Sequence, residues 1–466
     1  MATTLADTAT AVDLDAKRRE IVAQAEASGL RLVRFLYCDN DGIIRGKAAG
    51  IANLKERLET GIGLTVAMQA FTMLDHLASV DGMGPVGEIR LVPDPSTFTV
   101  APYAPHTGTV LVDMQTLDGQ PYAADGRGFL KRMIARAADD HDLSLVAAFE
   151  PEWSLAIKNG GDLFSPVDDS GCFTSTGMNI AAPVIDEIVA ALESQGLTVE
   201  QYYAELGWGQ QELSIRHAPA LQAADNHIIY RETVRGVALR HGRYASFAPK
   251  PWADQAGNGC HLHFSGWNTD LSVNRFYDGS AQYSISTLAR QFMAGILDHL
   301  PALVALTCAS VNSYRRLQPQ MWASAFRAWG PDNREGALRV ASPFKGHEAE
   351  STNVELKSSD SSANPYISLG GVIAAGLDGI ERQLTLPPPV TVDPYNLGDK
   401  ERQAIGADRL PQSLKEAITN LKRDTMLTDA LGERLATSYI AVKELDIAAF
   451  AAEDEAFEFR QHIYKY

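Results

Sequence analysis

The chain has 466 residues, 45% of them hydrophobic and 21% charged, and a formal net charge of −17. It is long enough for a large core and for two or three domains. The acidic excess, with no basic cluster, excludes nucleic acid as a partner.

In chain order, the opening "MATTLADTATAVDLDAKRRE" is polar and acidic and lacks the apolar stretch of a signal peptide. Residues 1–12 are expected to be disordered and residues 13–28 to form a helix. "LRLVRFLYCDNDGIIRGKAAGI" reads as a β-hairpin around an Asn-Asp-Gly turn at 40–42. The later ligand positions of a calcium loop are missing after "DNDG". "GIIRGKA" lacks the residues that would make it a phosphate loop. Short strands follow at "IRLVPD" and "TVLVDM", so residues 13–118 form a small mixed α+β unit.

A helix at "DGRGFLKRMIARAADDH" then leads into "LSLVAAFEPEWSL", the first strand of a larger unit over residues 119–466. Helices are expected at 181–195, 281–300 and 413–423, between strands that carry acids and histidines. "TLPPPVTVDP" is a stiff connector to a helical C-terminal region. The cysteines Cys38, Cys172, Cys260 and Cys308 make no C-x-x-C pair, so neither a disulfide framework nor a zinc cluster is expected. A reducing, cytoplasmic setting is the expectation. No apolar run reaches the length of a membrane helix.

The acids raise the central question. Glu150 and Glu152 alternate in an apolar strand, so both carboxylates face one way from a half-buried segment. Such like charges repel and resist desolvation. "YYAELGWGQQELSI" adds Glu205 and Glu212, "GNGCHLHFS" places His261 and His263 on one strand face, and "STNVELKSSD" adds Glu355. Each taken singly reads as a surface residue on a half-exposed strand. Together they form an oxygen-rich donor set suited to hard divalent cations, which would offset the repulsion. Paired divalent ions point in turn to phosphoryl transfer. A cationic set accompanies the acids: Arg315 and Arg316 in "NSYRRLQP", Arg334 and Arg339 in "DNREGALRV". Arginine forks of this kind hold carboxylates and phosphates. There is no G-x-S-x-G and no convincing Cys–His pairing, and "GWGQQE" places Glu212 where a dinucleotide motif requires glycine.

"FEPEW", "AELGWGQQE", "GNGCHLHFS", "NSYRRL", "NREGALR" and "NVELKSSDSSANPY" occur in the order and near the spacing of the glutamine synthetase superfamily. From about residue 30 to the end the chain resembles that family, class I-like. The resemblance implies an α+β fold, with an N-terminal β-grasp domain and a larger catalytic α/β domain. It implies subunits in two stacked hexameric rings, a homododecamer. ATP would phosphorylate the γ-carboxylate of glutamate, and an amine would attack the acyl phosphate.

Carried over by position, Glu152, Glu205 and Glu212 would hold one Mg²⁺ or Mn²⁺. Glu150, His261 and Glu355 would hold a second, with two to three ions per site. Glu200, His263, Ser265, Arg334 and Arg339 would contact ATP. Gly257, Arg316 and Lys357 would contact glutamate, and Arg316 and Arg334 would serve the chemistry.

The departures are informative. Where ammonium-using members carry an aspartate, this chain reads "GLTVAMQAFTMLDH", and Asp75 is the nearest acid. Where their flap over the acyl phosphate carries a second acid, "RRLQPQMWASAF" places Trp322. Ammonium needs anionic partners, whereas Met321 and Trp322 offer an apolar wall. The implied amine is therefore larger and partly apolar: an alkylamine, an arylamine or a small amino alcohol. Polyamines fit less well, because their second charge would still need an acid. Lys357 stands for a family arginine that grips the substrate carboxylate, and Asn353 for one near the nucleotide. The resemblance is thus closest to the γ-glutamylamide synthetases, ligases joining L-glutamate to an organic amine. Two other readings stay open: a true glutamine synthetase that obtains its ammonium acids elsewhere, and a catalytically silent paralogue acting as a scaffold or sensor.

Overall fold

The computed structural model describes residues 3–160 and 163–466. Its first helix, Thr3–Ala27, contains no glycine or proline and begins well before the expected residue 13. Of residues 1–12, expected to be disordered, residues 3–12 belong to this helix, and residues 1 and 2 lie outside the described residues.

Six strands follow: β1 Leu32–Cys38, β2 Ile44–Gly50, β3 Ile62–Thr65, β4 Glu88–Pro93, β5 Thr99–Val100 and β6 Thr107–Gln115. They form one sheet in the order β2-β1-β6-β4-β3, with β5 on β6. β1 and β6 run parallel. The helices Thr3–Ala27 and Leu54–Thr60 contribute Ile21, Ala25, Leu54 and Leu58 to the core of this unit.

The hairpin turn between β1 and β2 joins the two units. Asp39, Asn40 and Asp41 are buried. Asp41 pairs with Lys443, and Asn364 donates to the carbonyls of Cys38 and Asp39. Gly42 has φ +72°, and a Cβ there would meet the Ser362 carbonyl oxygen at 2.2 Å, so only glycine fits. The sequence marks a turn here. The tertiary structure makes it a docking plug.

Ten further strands build the larger sheet: β7 Ser144–Lys158, β8 Phe164–Pro166, β9 Val199–Ala204, β10 Gln210–Ile215, β11 Ala218–Pro219, β12 Tyr244–Ser246, β13 Cys260–Trp267, β14 Phe326–Pro331, β15 Gly336–Val340 and β16 Val354–Leu356. The main path is β14-β15-β16-β13-β7-β10-β9. Along β7, Leu145, Ala147 and Phe149 are buried in the core shared with helices Gly126–His141, Thr287–Thr307 and Pro365–Glu381. Glu150 belongs to the alternate set. The strand thus commits one face to the core and leaves the other for chemistry. Helix Thr287–Thr307 starts later than the expected 281, because the Ser286 side chain caps it by accepting from Ala289 N–H, and it runs on through Pro301.

Candidate active site

Strand register alone assembles the site. In the antiparallel pairing of β7 and β10, Glu152 lies opposite Glu212. β13 on β7 sets His261 opposite Glu150, and β13 on β16 sets His263 opposite Glu355. β15 on β16 then adds Arg339 opposite Glu355. Directly opposed residues share a face, so residues far apart in the chain converge on the face of the sheet away from the core.

Glu152 is buried and held twice on Oε2. Gln210 Nε2 donates to it at 2.7 Å and the Gly259 N–H at 2.9 Å. Gln210 also bonds to the Gly257 carbonyl. Tyr203 OH donates to Glu212 at 2.6 Å. Glu205, in the turn between β9 and β10, accepts the neighbouring Leu206 N–H at 2.8 Å. Glu150 lies 3.0 Å from His263 Nε2, whose Nδ1 meets Asn353 Oδ1 at 2.9 Å. Glu355 is held by two cations, Arg339 Nε at 2.9 Å and Lys357 Nζ at 3.5 Å, and has the His261 ring at 3.3 Å.

Charge divides the cluster into two halves. Burial pushes Glu212 up to about 9, reinforced by Glu152 and Glu150. Burial, then Glu152, pushes Glu205 up to about 7. Burial also raises Glu152. In the other half burial acts the same way but is outweighed. Lys357 and the histidines hold Glu355 well below the usual carboxylate range, and His263 holds Glu150 below it. Glu150 in turn lifts His263 well above its ordinary value despite burial. His261 is pushed well down by burial and by Lys357 beside it, so it is a neutral imidazole near neutral pH.

These residues fit divalent cations. A set of carboxylate oxygens with one imidazole is a hard-cation donor set. Buried Glu152 and Glu212 and half-buried Glu205, all with raised proton affinity, need positive charge to ionise together. Glu150, His263 and Glu355 bring ligand atoms within 4.8 Å of one another. The grouping differs from the expected Glu150–His261–Glu355. His261 meets Glu355 and Glu152, while its Nε2 faces Lys357 at 3.2 Å and Arg316 at 3.4 Å. His263, expected at the nucleotide, takes the position between Glu150 and Glu355. The register sets this, since His263 and not His261 lies opposite Glu355.

Arg316 is buried, and its Nη1 bonds to the Ser359 carbonyl. It passes so close to Gly257 that a Cβ there would sit 2.9 Å from its Cγ. Ser265 is buried, with its hydroxyl taken by Trp267 Nε1. Arg334 stands exposed at the rim, within electrostatic reach of Glu205. Glu200 departs from expectation. It lies at the β9 register shift, exposed, with its carboxylate on Arg216 at 2.6 Å. Its side chain is thereby spoken for outside the cluster, because the bulge turns the strand there. Met321 and Trp322 are 46% and 62% exposed. Asp75, the nearest acid to the missing ammonium aspartate, pairs with Arg45 at 2.8 Å.

Sequence reasoning passed over Gln210, Tyr203 and Gly259. The repeated "QQE" next to a ligand glutamate was the available signal for Gln210. Gly259 lies so close to the cluster that a Cβ there would meet Arg316 Nη2 at 2.5 Å, His261 Nε2 at 2.9 Å and Glu152 Oε1 at 3.1 Å. Gly259→Ala is therefore expected to weaken Mg²⁺ binding by about tenfold or more, read by calorimetric titration.

The structure has a larger unit whose acidic cluster fits divalent cations and a smaller N-terminal unit joined to it. Residues 16–122 match the glutamine synthetase N-terminal domain and residues 123–462 the glutamine synthetase catalytic domain. The chain belongs to the glutamine synthetase family, whose members are ligases using ATP and divalent metals. It is 37% identical over 417 residues to the γ-glutamylpolyamine synthetase GlnA3 of Streptomyces coelicolor, covering 89% of each chain. It is 30% identical to the glutamine synthetase of Methanococcus maripaludis, over 94% of this chain and 97% of that one. A solved structure described as a novel glutamine synthase homologue superposes with a TM-score of 0.83 at 31% identity, covering 94% of this chain and 99% of the other. Among the described residues no helix is long and apolar enough to cross a membrane.

Proposed function

We propose that this protein is an ATP-dependent ligase that joins the γ-carboxylate of L-glutamate to an organic amine through γ-glutamyl phosphate. Glu152, Glu205 and Glu212 would hold one divalent ion, and Glu150, Glu355 and a histidine of the 261/263 pair a second. The ions, when bound, would screen the nucleotide phosphates and let a carboxylate approach them. Arg339 and Arg334 supply further positive charge on the nucleotide side. Arg316 and Lys357, flanking His261, are the cations for the substrate carboxylate. Two stacked rings of six subunits are part of the same proposal.

One observation carries the choice of an organic amine over ammonium. The loop that follows Arg316 presents Met321 and Trp322 outward, with no acidic side chain of its own between Leu317 and Arg327. The resemblance to a γ-glutamylpolyamine synthetase supports the same branch. The glutamine synthetases among the relatives favour the alternative of ammonium as substrate, and one assay separates the two. With glutamate, ATP and Mg²⁺, phosphate release is expected to be far faster with a panel of organic amines than with ammonium. Equal kcat/KM for ammonium and the best amine refutes the proposal. Trp322→Glu is expected to lower kcat/KM for bulky amines by roughly tenfold and to yield measurable ammonium use. An unchanged amine preference removes Trp322 from the pocket.

A further inference from the structure

Beneath the apolar wall lies an acid that the resemblance does not assign. The Trp322 backbone N–H donates to Glu335 Oε1 at 2.8 Å. The loop around it is held in an unusual backbone. Gln320, Trp322 and Ser324 all have positive φ, at 59°, 57° and 60°, and Ser324 is tied to the Arg334 carbonyl at 3.1 Å. Non-glycine residues stay in such conformations only where their surroundings over-determine them, and they concentrate at functional sites. Glu335 is one of the groups that hold this loop.

A latch needs only an acceptor, and a neutral amide would serve. Glu335 instead brings a charge. Its Oε2 is shielded from solvent and, among the described residues, makes no hydrogen bond of normal geometry; besides Trp322, the Gln320 backbone N–H acts on the carboxylate, and burial raises its proton affinity. An orphaned buried carboxylate oxygen is expensive to keep. Among the described residues no lysine or arginine forms an ion pair with it. Lys357 acts on it electrostatically but is already engaged by His261 and Glu355. Asp393 adds a second negative charge within electrostatic reach. This edge of the site therefore has an anionic spot without an ion-pair partner, hydrogen-bonded to the backbone of the loop that bears Met321 and Trp322.

Resting on the organic-amine reading above, we infer that Glu335 is a specificity-determining residue, pairing with a second positive charge carried by the amine substrate. The substrate class is then an α,ω-diamine or longer polyamine. One nitrogen, as the free amine, attacks the γ-carbonyl carbon of the acyl phosphate; the new C–N bond replaces the C–O bond to phosphate, inorganic phosphate leaves, and the excess nitrogen proton passes to solvent, while the distal ammonium rests on Glu335 beside the Trp322 backbone. The acid that polyamines lacked in the sequence reading is supplied from β15's entry turn, after the arginine pair Arg315–Arg316 and outside the loop that bears the wall.

The test compares 1,4-diaminobutane with butylamine, which differ only in the distal charge, using the full-length enzyme with glutamate, ATP and Mg²⁺. Glu335→Gln retains an acceptor for the Trp322 N–H and removes only the charge. The ratio of kcat/KM for the diamine over the monoamine is expected to fall about tenfold in Glu335→Gln. The loss should lie in KM for the diamine, with KM for ATP within roughly twofold of wild type. Glu335→Asp, which keeps the charge at shorter reach, should preserve more of the ratio than Glu335→Gln. A wild-type ratio in Glu335→Gln, with Glu335→Ala alone impaired, overturns the inference and reduces the residue to a latch. Equal ratios in the Asp and Gln variants overturn it as well. Turnover with ammonium and with neither amine overturns the organic-amine reading itself, and the inference falls with it.

Discussion

Glu212→Gln is expected to make the metal-stripped protein more stable near neutral pH while cutting turnover about a hundredfold or more. The two effects share one cause. Glu212 sits beside Glu152, Glu150 and Glu205, and burial with that repulsion lifts its proton affinity to about 9 from an ordinary 4.5. A carboxyl raised in this way favours folding below its unfolded value, and the benefit is lost as pH rises through its folded value. Without metal, the wild-type Tm should therefore fall between about pH 5 and about pH 9, and Glu212→Gln should flatten that fall. Adding Mg²⁺ should restore wild-type stability and have a smaller effect on the variant. Thermal melts in chelator across that range, with and without Mg²⁺, check the stability arm, and phosphate release checks the activity arm. A variant less stable than wild type in chelator at neutral pH refutes the reading of Glu212 as a repelled carboxylate.

Glu355→Gln should behave oppositely, although its residue belongs to the same cluster. Glu355 is buried with Arg339, Lys357 and both histidines around it. Removing its charge leaves the buried Lys357 and the Arg339 guanidinium without their counter-ion. That is expected to destabilise the metal-free protein by about 3 kcal/mol or more. Because Glu355 is held well below its ordinary range, its contribution is present above the unfolded value near 4.5 and is lost as pH falls through its depressed folded value. The wild-type advantage over Glu355→Gln should thus be full at neutral pH and shrink under acid. Activity should be lost as well, since the same carboxylate is a candidate metal ligand. Equal Tm for wild type and Glu355→Gln at neutral pH would show that the surrounding cations have other partners.

The candidate site was unusually legible in the primary structure, for a specific reason. Its donors sit on strands, where alternation dictates which face a side chain takes. "FEPEW" therefore announces two carboxylates on one side, and "CHLHF" two imidazoles. Which imidazole lies opposite which carboxylate was not legible, because register between strands far apart in sequence is set by the packing of the whole sheet. Glu335 was hidden for a similar reason. In "NREGAL" it reads as a turn acid, and only the folding back of residues 320–324 places it under Trp322. The first helix starts at Thr3, in a polar segment that contains no helix breaker.

By itself, then, the amino-acid order determined the family, the two-part organisation and the identity of nearly every charged group in the cavity, because alternation and motif spacing are local properties of the chain. The tertiary structure alone decided which of those groups are neighbours. Burial raises Glu212 and Glu205, whereas proximity to Lys357 and His263 depresses Glu355 and Glu150. Whether a carboxylate is repelled or held depends on distances to charges brought in from other strands, and those distances exist only once the sheet has formed.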